Sequence, residues 1–238
     1  MSLGLWDEFE KRVAKHRPNP EPIVPDTGWK MCLDFPDLSR ASAISFDVET
    51  YDPELDVHGA GFARGSGHII GVALGCEGWK QYFPLRHREG RNHDDPAKVI
   101  RYISDQLRRP NQLKIGHNLA YDLGWLMSEG VEINGTLFDT WIAEKLLTVC
   151  TSRRNQTSLD AAAEKHLGLH KESETLYDWQ WEKFGRGKRK GEQRVLAMQN
   201  LRDAPPVLVG PYAESDVDLP IEIAAKQWKL LELSLIHI

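Results

Sequence analysis

The stretch SAISFDVET, residues 42–50, decides how the rest of this chain folds. Ile44, Phe46 and Val48 alternate with Ser45, Asp47 and Glu49, which is the period of a strand with two unlike faces. Both acids therefore share one face. The ordered domain is expected to begin just before this strand, at about residue 41.

Downstream, HIIGVALG (68–75) and WKQYFPL (79–85) flank Cys76-Glu77-Gly78 and read as a hairpin, so the sheet opens with antiparallel strands. A helix is expected from Pro96 to about Arg109, with Val99, Ile100, Ile103 and Leu107 on one apolar face. Leu113–Gly116 reads as a short strand leading into HNLAYDLGWLMSEG, where Asn118 and Asp122 stand one helical turn apart. Phe138-Asp139-Thr140 opens another helix through Leu147, and SLDAAAEKHLG (158–168) a further one, capped by Ser158 and stopped by Gly168. The last helix is expected from near Tyr212 to about Leu233, placing Tyr212 and Asp216 one turn apart. Upstream, Pro18, Pro20, Pro22, Pro25 and Pro36 make residues 1–40 an extended leader outside the core.

The chain has 238 residues, 41% hydrophobic and 27% charged, enough for one main α/β domain with a substantial core. No apolar run approaches the ~20 residues of a membrane span, and the opening lacks the pattern of a secretory signal. Cys32, Cys76 and Cys150 are odd in number and far apart. A reduced cytoplasm is the expected compartment. A net charge of −5 disfavours a protein that holds nucleic acid through a broad positive surface, but not an enzyme whose acids hold cations. One local basic run, KFGRGKRKGEQR (183–194), is either a solvated loop or a nucleic-acid contact.

Asp47 and Glu49 on a strand, Asp122 on one helix and Asp216 on another lie beside apolar runs with no basic residue at matching spacing. An ionised carboxylate partly removed from water costs several kcal/mol unless it is paired or binds a metal. An oxygen-only donor set suits Mg²⁺ or Mn²⁺ and disfavours zinc. Two such ions are what hydrolysis of an anionic phosphodiester benefits from.

DVET (47–50), HNLAYD (117–122) and YAESD (212–216), in this order, resemble the three motifs of the DEDDy 3′–5′ exonucleases, and the order of elements over roughly residues 42–220 resembles the ribonuclease-H-like fold. The form with Tyr212 is similar to the proofreading domain of family-A DNA polymerases, above all those of phages. The resemblance implies a mixed α/β sheet flanked by helices over residues 41–233, and two Mg²⁺ or Mn²⁺ ions as cofactors. It implies that Asp47 bridges both ions, Glu49 and Asp216 complete the site that activates water, and Asp122 holds the second ion through water. Tyr212 then orients the attacking water, since a phenol with a pKa near 10 is a poor base at neutral pH. Thr50, Asn118, Lys188, Arg189 and Lys190 are the candidate substrate contacts. The implied substrate is a single-stranded or frayed 3′ end of DNA, and the implied partner is a polymerase domain; residues 234–238 are then a tail at a truncation. Two alternatives stay open: a non-catalytic domain of this fold that clamps a polymerase, and a ribonuclease-D-like enzyme acting on RNA.

Other features have plainer expectations. Gly59, Gly61, Gly65 and Gly67 lack the Lys-Ser or Lys-Thr of a phosphate-binding loop and read as a mobile loop near the site. His166 and His170 straddle Gly168 and lack partner ligands for zinc. Asp139 reads as a helix cap, not a fifth ligand. Trp179, Trp181 and Phe184 read as core or loop anchors more than as stacking platforms.

Overall fold

The computed structural model describes residues 22–149, 151–152, 155–185 and 193–236. The beginning of the leader, Cys150, the proposed contacts Lys188, Arg189 and Lys190, and the last two residues fall outside this range.

Five strands form one sheet in the order β3-β2-β1-β4-β5. β1 (Ala43–Tyr51) is central, with β2 (His68–Cys76) antiparallel on one side and β4 (Leu113–Gly116) parallel on the other. β3 (Trp79–Pro84) completes the hairpin with β2, and β5 (Leu137–Asp139) lies parallel to β4. The hairpin closes at Gly78, whose φ of 77° suits a residue without a Cβ. This is the mixed sheet with antiparallel opening strands that residues 42–85 foretell.

Helices cover both faces. On one face Ile44, Phe46 and Val48 of β1 pack with Val99, Ile103 and Leu107 of α2 (Pro96–Leu107) and with Trp125 and Leu126 of α3 (Leu119–Ser128). α2 starts at Pro96 because Asp95 caps it, accepting from the Lys98 N–H at 2.9 Å. On the other face Ile70, Ala73 and Tyr82 pack against Leu208, Val209, Ala213 and Val217 of the long helix α8 (Pro206–Ile236). α4 (Thr140–Thr148) and α5 (Leu159–Leu167) also pack on α8. As expected, Ser158 caps α5 through the Ala161 N–H, and Gly168 ends it in the left-handed conformation.

The structure departs from expectation in several places. β5 has three residues, too few for an alternating pattern to register. α6 (Glu174–Phe184) and α7 (Gln193–Gln199) were not foreseen, and Trp179 of α6 is core while Trp181 packs on Gly185. α8 begins at Pro206, well before Tyr212, because Pro206 fits a first helical turn and Pro211 hides the continuity of the pattern. Pro211 cannot donate to the Val207 carbonyl one turn back; the Thr27 hydroxyl does so instead, at 2.7 Å.

Thr27 belongs to the leader, which is extended as expected but not outside the core. Leu38 is buried, Phe35 packs on the first cluster, and Trp29 lies flat on Gly210 of α8, where any Cβ would collide with its ring. Trp29 also donates to Glu214 at 2.7 Å. The glycine-rich stretch, expected as a mobile loop, follows a four-residue helix α1 (Leu55–His58) and carries a 3-10 turn (Gly61–Arg64). Phe62 of that turn packs into the space over Gly124 of α3. Among the described residues no helix is long and apolar enough to cross a membrane.

Candidate active site

The pleat of β1 turns Ser45, Asp47 and Glu49 toward α8, and this alternation builds the site. α8 answers with Tyr212 and Asp216, four residues apart and so on one face. One carboxylate oxygen from each of Asp47, Glu49 and Asp216 lies within 4.8 Å of the others. Glu49 is buried, and its Oε1 has no hydrogen-bond partner among the described residues. Asp122 of α3 reaches the same region from the far side of β1, its Oδ1 accepting from the Val48 N–H at 3.0 Å. Three acids thus converge directly, and Asp122 stands beside them tied to the strand that carries two of them.

The electrostatics are those of a cation trap. Burial, then the charges of Asp122, Glu49 and Asp216, pushes the Asp47 carboxyl well above the usual range. Burial followed by the Asp216 charge pushes Glu49 up to about 8, and burial pushes Asp122 up to about 8. Asp216 is raised by burial as well, but against the pull of Lys171. Three buried carboxylates and the half-buried Asp47, with one orphaned oxygen and only oxygen donors, fit hard divalent cations and not zinc. Asp47, Glu49, Asp216 and Asp122 are the residues that would hold them.

Tyr212 is buried, and burial together with the Asp216 and Glu49 charges holds its phenol well above the usual value. It therefore stays protonated and can donate or accept a hydrogen bond but cannot serve as a base. His117, the imidazole lining the cavity, is committed elsewhere, with Nδ1 at 2.9 Å from Thr140 Oγ1 and Nε2 at 3.0 Å from the Thr157 carbonyl. Burial drives its pKa down to about 4.

The site opens into a cavity of about 530 Å³ lined by Asp47, Asn118, Trp141, Lys171, Tyr177 and Asp216, among others. Asn118 is exposed in its wall and holds φ of 70°, the one non-glycine residue with positive φ among those described. It occupies the N-cap position of α3 without making a side-chain cap bond, so it does not stack over Asp122 on a helical turn as its spacing implies. Asp139 supplies the cap: its carboxylate accepts from the N–H groups of Asn118 and Leu119, as well as from Trp141 and Ile142 of its own helix α4. Thr50, a candidate substrate contact, has its hydroxyl 2.7 Å from the Tyr121 hydroxyl. His166 and His170 pair with Glu144 and Asp160.

Lys171, Trp141 and Tyr177 escape a reading of the sequence. Lys171 donates to Asp216 at 2.6 Å, yet it stands in HKESE between two helices with no periodicity to mark it. Trp141 follows the Asp139 cap, a position that signals only a helix start.

The family model described as 3′–5′ exonuclease matches residues 35–232. A DNA-directed DNA polymerase of Pseudomonas phage M6 is 31% identical over 202 residues, covering 81% of this chain and 28% of that protein. DNA polymerase I of Pseudomonas aeruginosa is 26% identical over 200 residues, covering 82% of this chain and 19% of that protein. The chain thus spans less than a third of the length of these relatives. Among solved structures, Brucella melitensis NrnC superposes with a TM-score of 0.51 at 18% identity, covering 84% of this chain and 79% of that one, and shares the ribonuclease-H-like fold. The chain belongs to the 3′–5′ exonuclease family of family-A DNA polymerases, and is an exonuclease domain related to their proofreading domains.

Proposed function

We propose that this domain hydrolyses the terminal phosphodiester at the 3′ end of DNA, releasing nucleoside 5′-monophosphates as the editing part of a phage-type polymerase. The observation that carries this reading is the convergence of Asp47, Glu49 and Asp216, from β1 and α8, beside the Tyr212 hydroxyl. Divalent ions bound there would supply an activated water and neutralise charge developing on phosphorus. The chain's own part is positional. Asp47, Glu49 and Asp216 would hold one ion, and Asp122 beside them would help hold a second. Tyr212, at the rim of the carboxylates, orients the attacking water through its hydroxyl. Asn118 meets the terminal nucleotide in the cavity wall, and Lys188, Arg189 and Lys190 are the candidate phosphate contacts by their charge alone.

A 5′-labelled single-stranded DNA and its RNA equivalent, incubated with Mg²⁺, Mn²⁺ or EDTA, test the reading for the wild type and Asp47→Ala. A ladder from the 3′ end of DNA that needs both the metal and Asp47 is the expected result. Faster cleavage of RNA transfers the activity to the ribonuclease-D-like alternative. An inert wild type leaves the polymerase-clamping alternative.

A further inference from the structure

The carboxylate cage already contains a cation. Lys171 lies in the connection between α5 and α6, its backbone fixed where its N–H donates to Asp160 Oδ1 at 3.1 Å in the first turn of α5. From there its side chain enters the cavity that Asp47 and Asp216 line. Nζ donates to Asp216 Oδ2 at 2.6 Å and to the Tyr212 hydroxyl at 3.3 Å, and lies 4.4 Å from the centre of the Tyr212 ring. The pair is largely shielded, with side-chain exposures of 16% for Lys171 and 8% for Asp216.

Carboxylates at such spacing repel one another strongly once they ionise where water is scarce, and an ammonium among them offsets part of that repulsion. The Lys171 ammonium touches Asp216 and Tyr212 and stands in the cavity that Asp47 also lines, so it faces more than one member of the cage. A lysine suits a temporary role, since its charge is compact and its four-carbon stem can swing. An ammonium and a divalent ion cannot both sit against the same carboxylate oxygen, because two cations about 3 Å apart in a shielded site repel by several kcal/mol.

We propose that Lys171 is a surrogate cation: its ammonium takes the place beside Asp216 that a divalent ion takes, keeps the cage assembled without the ion, and is displaced when the ion binds. This rests on the reading of Asp47, Glu49 and Asp216 as metal ligands, and its test needs neither nucleic acid nor turnover.

Mn²⁺ titrations followed by the electron paramagnetic resonance of the free ion compare wild type, Lys171→Met and Lys171→Arg, with thermal melting in EDTA alongside. With its competitor gone, Lys171→Met binds Mn²⁺ about tenfold tighter than wild type and melts lower in EDTA, while Lys171→Arg stays near wild type on both measures. A lysine that only anchored its loop would leave Lys171→Met with lower stability and weaker Mn²⁺ binding; equal or weaker binding by the folded variant overturns the proposal. Nitrogen-15 lysine NMR of the wild type reads the same event without a substitution. One protected Nζ resonance in EDTA disappears on saturation with Mg²⁺; a resonance that persists overturns the proposal. A wild type that binds Mn²⁺ but cuts neither DNA nor RNA refutes the exonuclease reading and leaves this one standing, whereas a wild type that binds no Mn²⁺ overturns both.

Discussion

The main-chain N–H of Asn118 donates to the carboxylate of Asp139 at 2.9 Å, and this contact joins the starts of two helices separated by 21 residues of chain. The Leu119 N–H donates to the other oxygen at 2.9 Å, and Trp141 at the start of α4 donates at 2.9 Å. One acid thus answers the unpaired N–H groups, and the positive end of the dipole, of both α3 and α4. Asp139→Ala is expected to remove two caps at once and to cost on the order of 2–3 kcal/mol in a urea unfolding experiment. Because α3 carries Asp122 and Asn118, activity should fall with it. Asp139→Asn, which keeps an acceptor, should recover part of both. A loss below about 0.5 kcal/mol for the alanine variant would show that the double cap is idle.

Asn118 gives a second separation of structure from function. Its left-handed backbone favours glycine and tolerates asparagine, whereas alanine is strained there by about 1 kcal/mol. Asn118→Gly is expected to fold at least as well as wild type while raising KM for an oligonucleotide, since the amide in the cavity wall is gone. Asn118→Ala should show the same KM defect with an added loss of stability. Steady-state kinetics beside thermal melts of the two variants distinguish the contributions; a Gly variant with unchanged KM removes Asn118 from the substrate site.

What the sequence reveals and what it hides divides along physical lines. β1 is legible because alternation is a local property: Ile44, Phe46 and Val48 announce one face, and Asp47 and Glu49 the other. α5 is legible because Ser158 and Gly168 bracket it. β5 is invisible because three residues carry no period, and its place is set by pairing Ile115 with Phe138 across the sheet. The start of α8 is hidden by Pro211, whose missing hydrogen bond is repaired by Thr27 from 180 residues away, a contact with no local trace. In the site, the acids were found through their spacing in three motifs. Lys171 was not, because its meaning comes only from the fold that sets it against Asp216.

The roles assigned to Asp47 and Tyr212 predict unequal losses. Asp47 is placed to hold both ions, so Asp47→Ala should lower kcat by at least about 10³-fold. Tyr212 orients water without taking its proton, and Tyr212→Phe keeps the ring that packs near Tyr177, so its loss should be nearer a hundredfold. Neither variant should melt more than a few degrees from wild type in EDTA. Single-turnover cleavage of a labelled oligonucleotide measures both, and a Tyr212→Phe defect equal to that of Asp47→Ala would make the phenol a chemical participant.

The cage also sets how stability without metal depends on pH. Burial first, and then the Asp216 charge, raises Glu49 from an ordinary 4.5 to about 8, so the folded chain binds this proton more tightly than the unfolded chain does. The stabilising contribution is complete below about pH 4.5 and is lost as pH rises through about 8. Glu49→Gln cannot ionise and keeps the shape of the protonated side chain. In EDTA its stability relative to wild type should therefore rise between pH 5 and pH 8, by on the order of 2 kcal/mol. Mg²⁺ should close the gap at pH 8 by stabilising the wild type, because the ion binds the ionised cage of the folded state and not the unfolded chain. Urea unfolding of both proteins at the two pH values, with EDTA or Mg²⁺, measures all of this; if the two proteins track each other across pH and ignore Mg²⁺, the acids on β1 hold no cation.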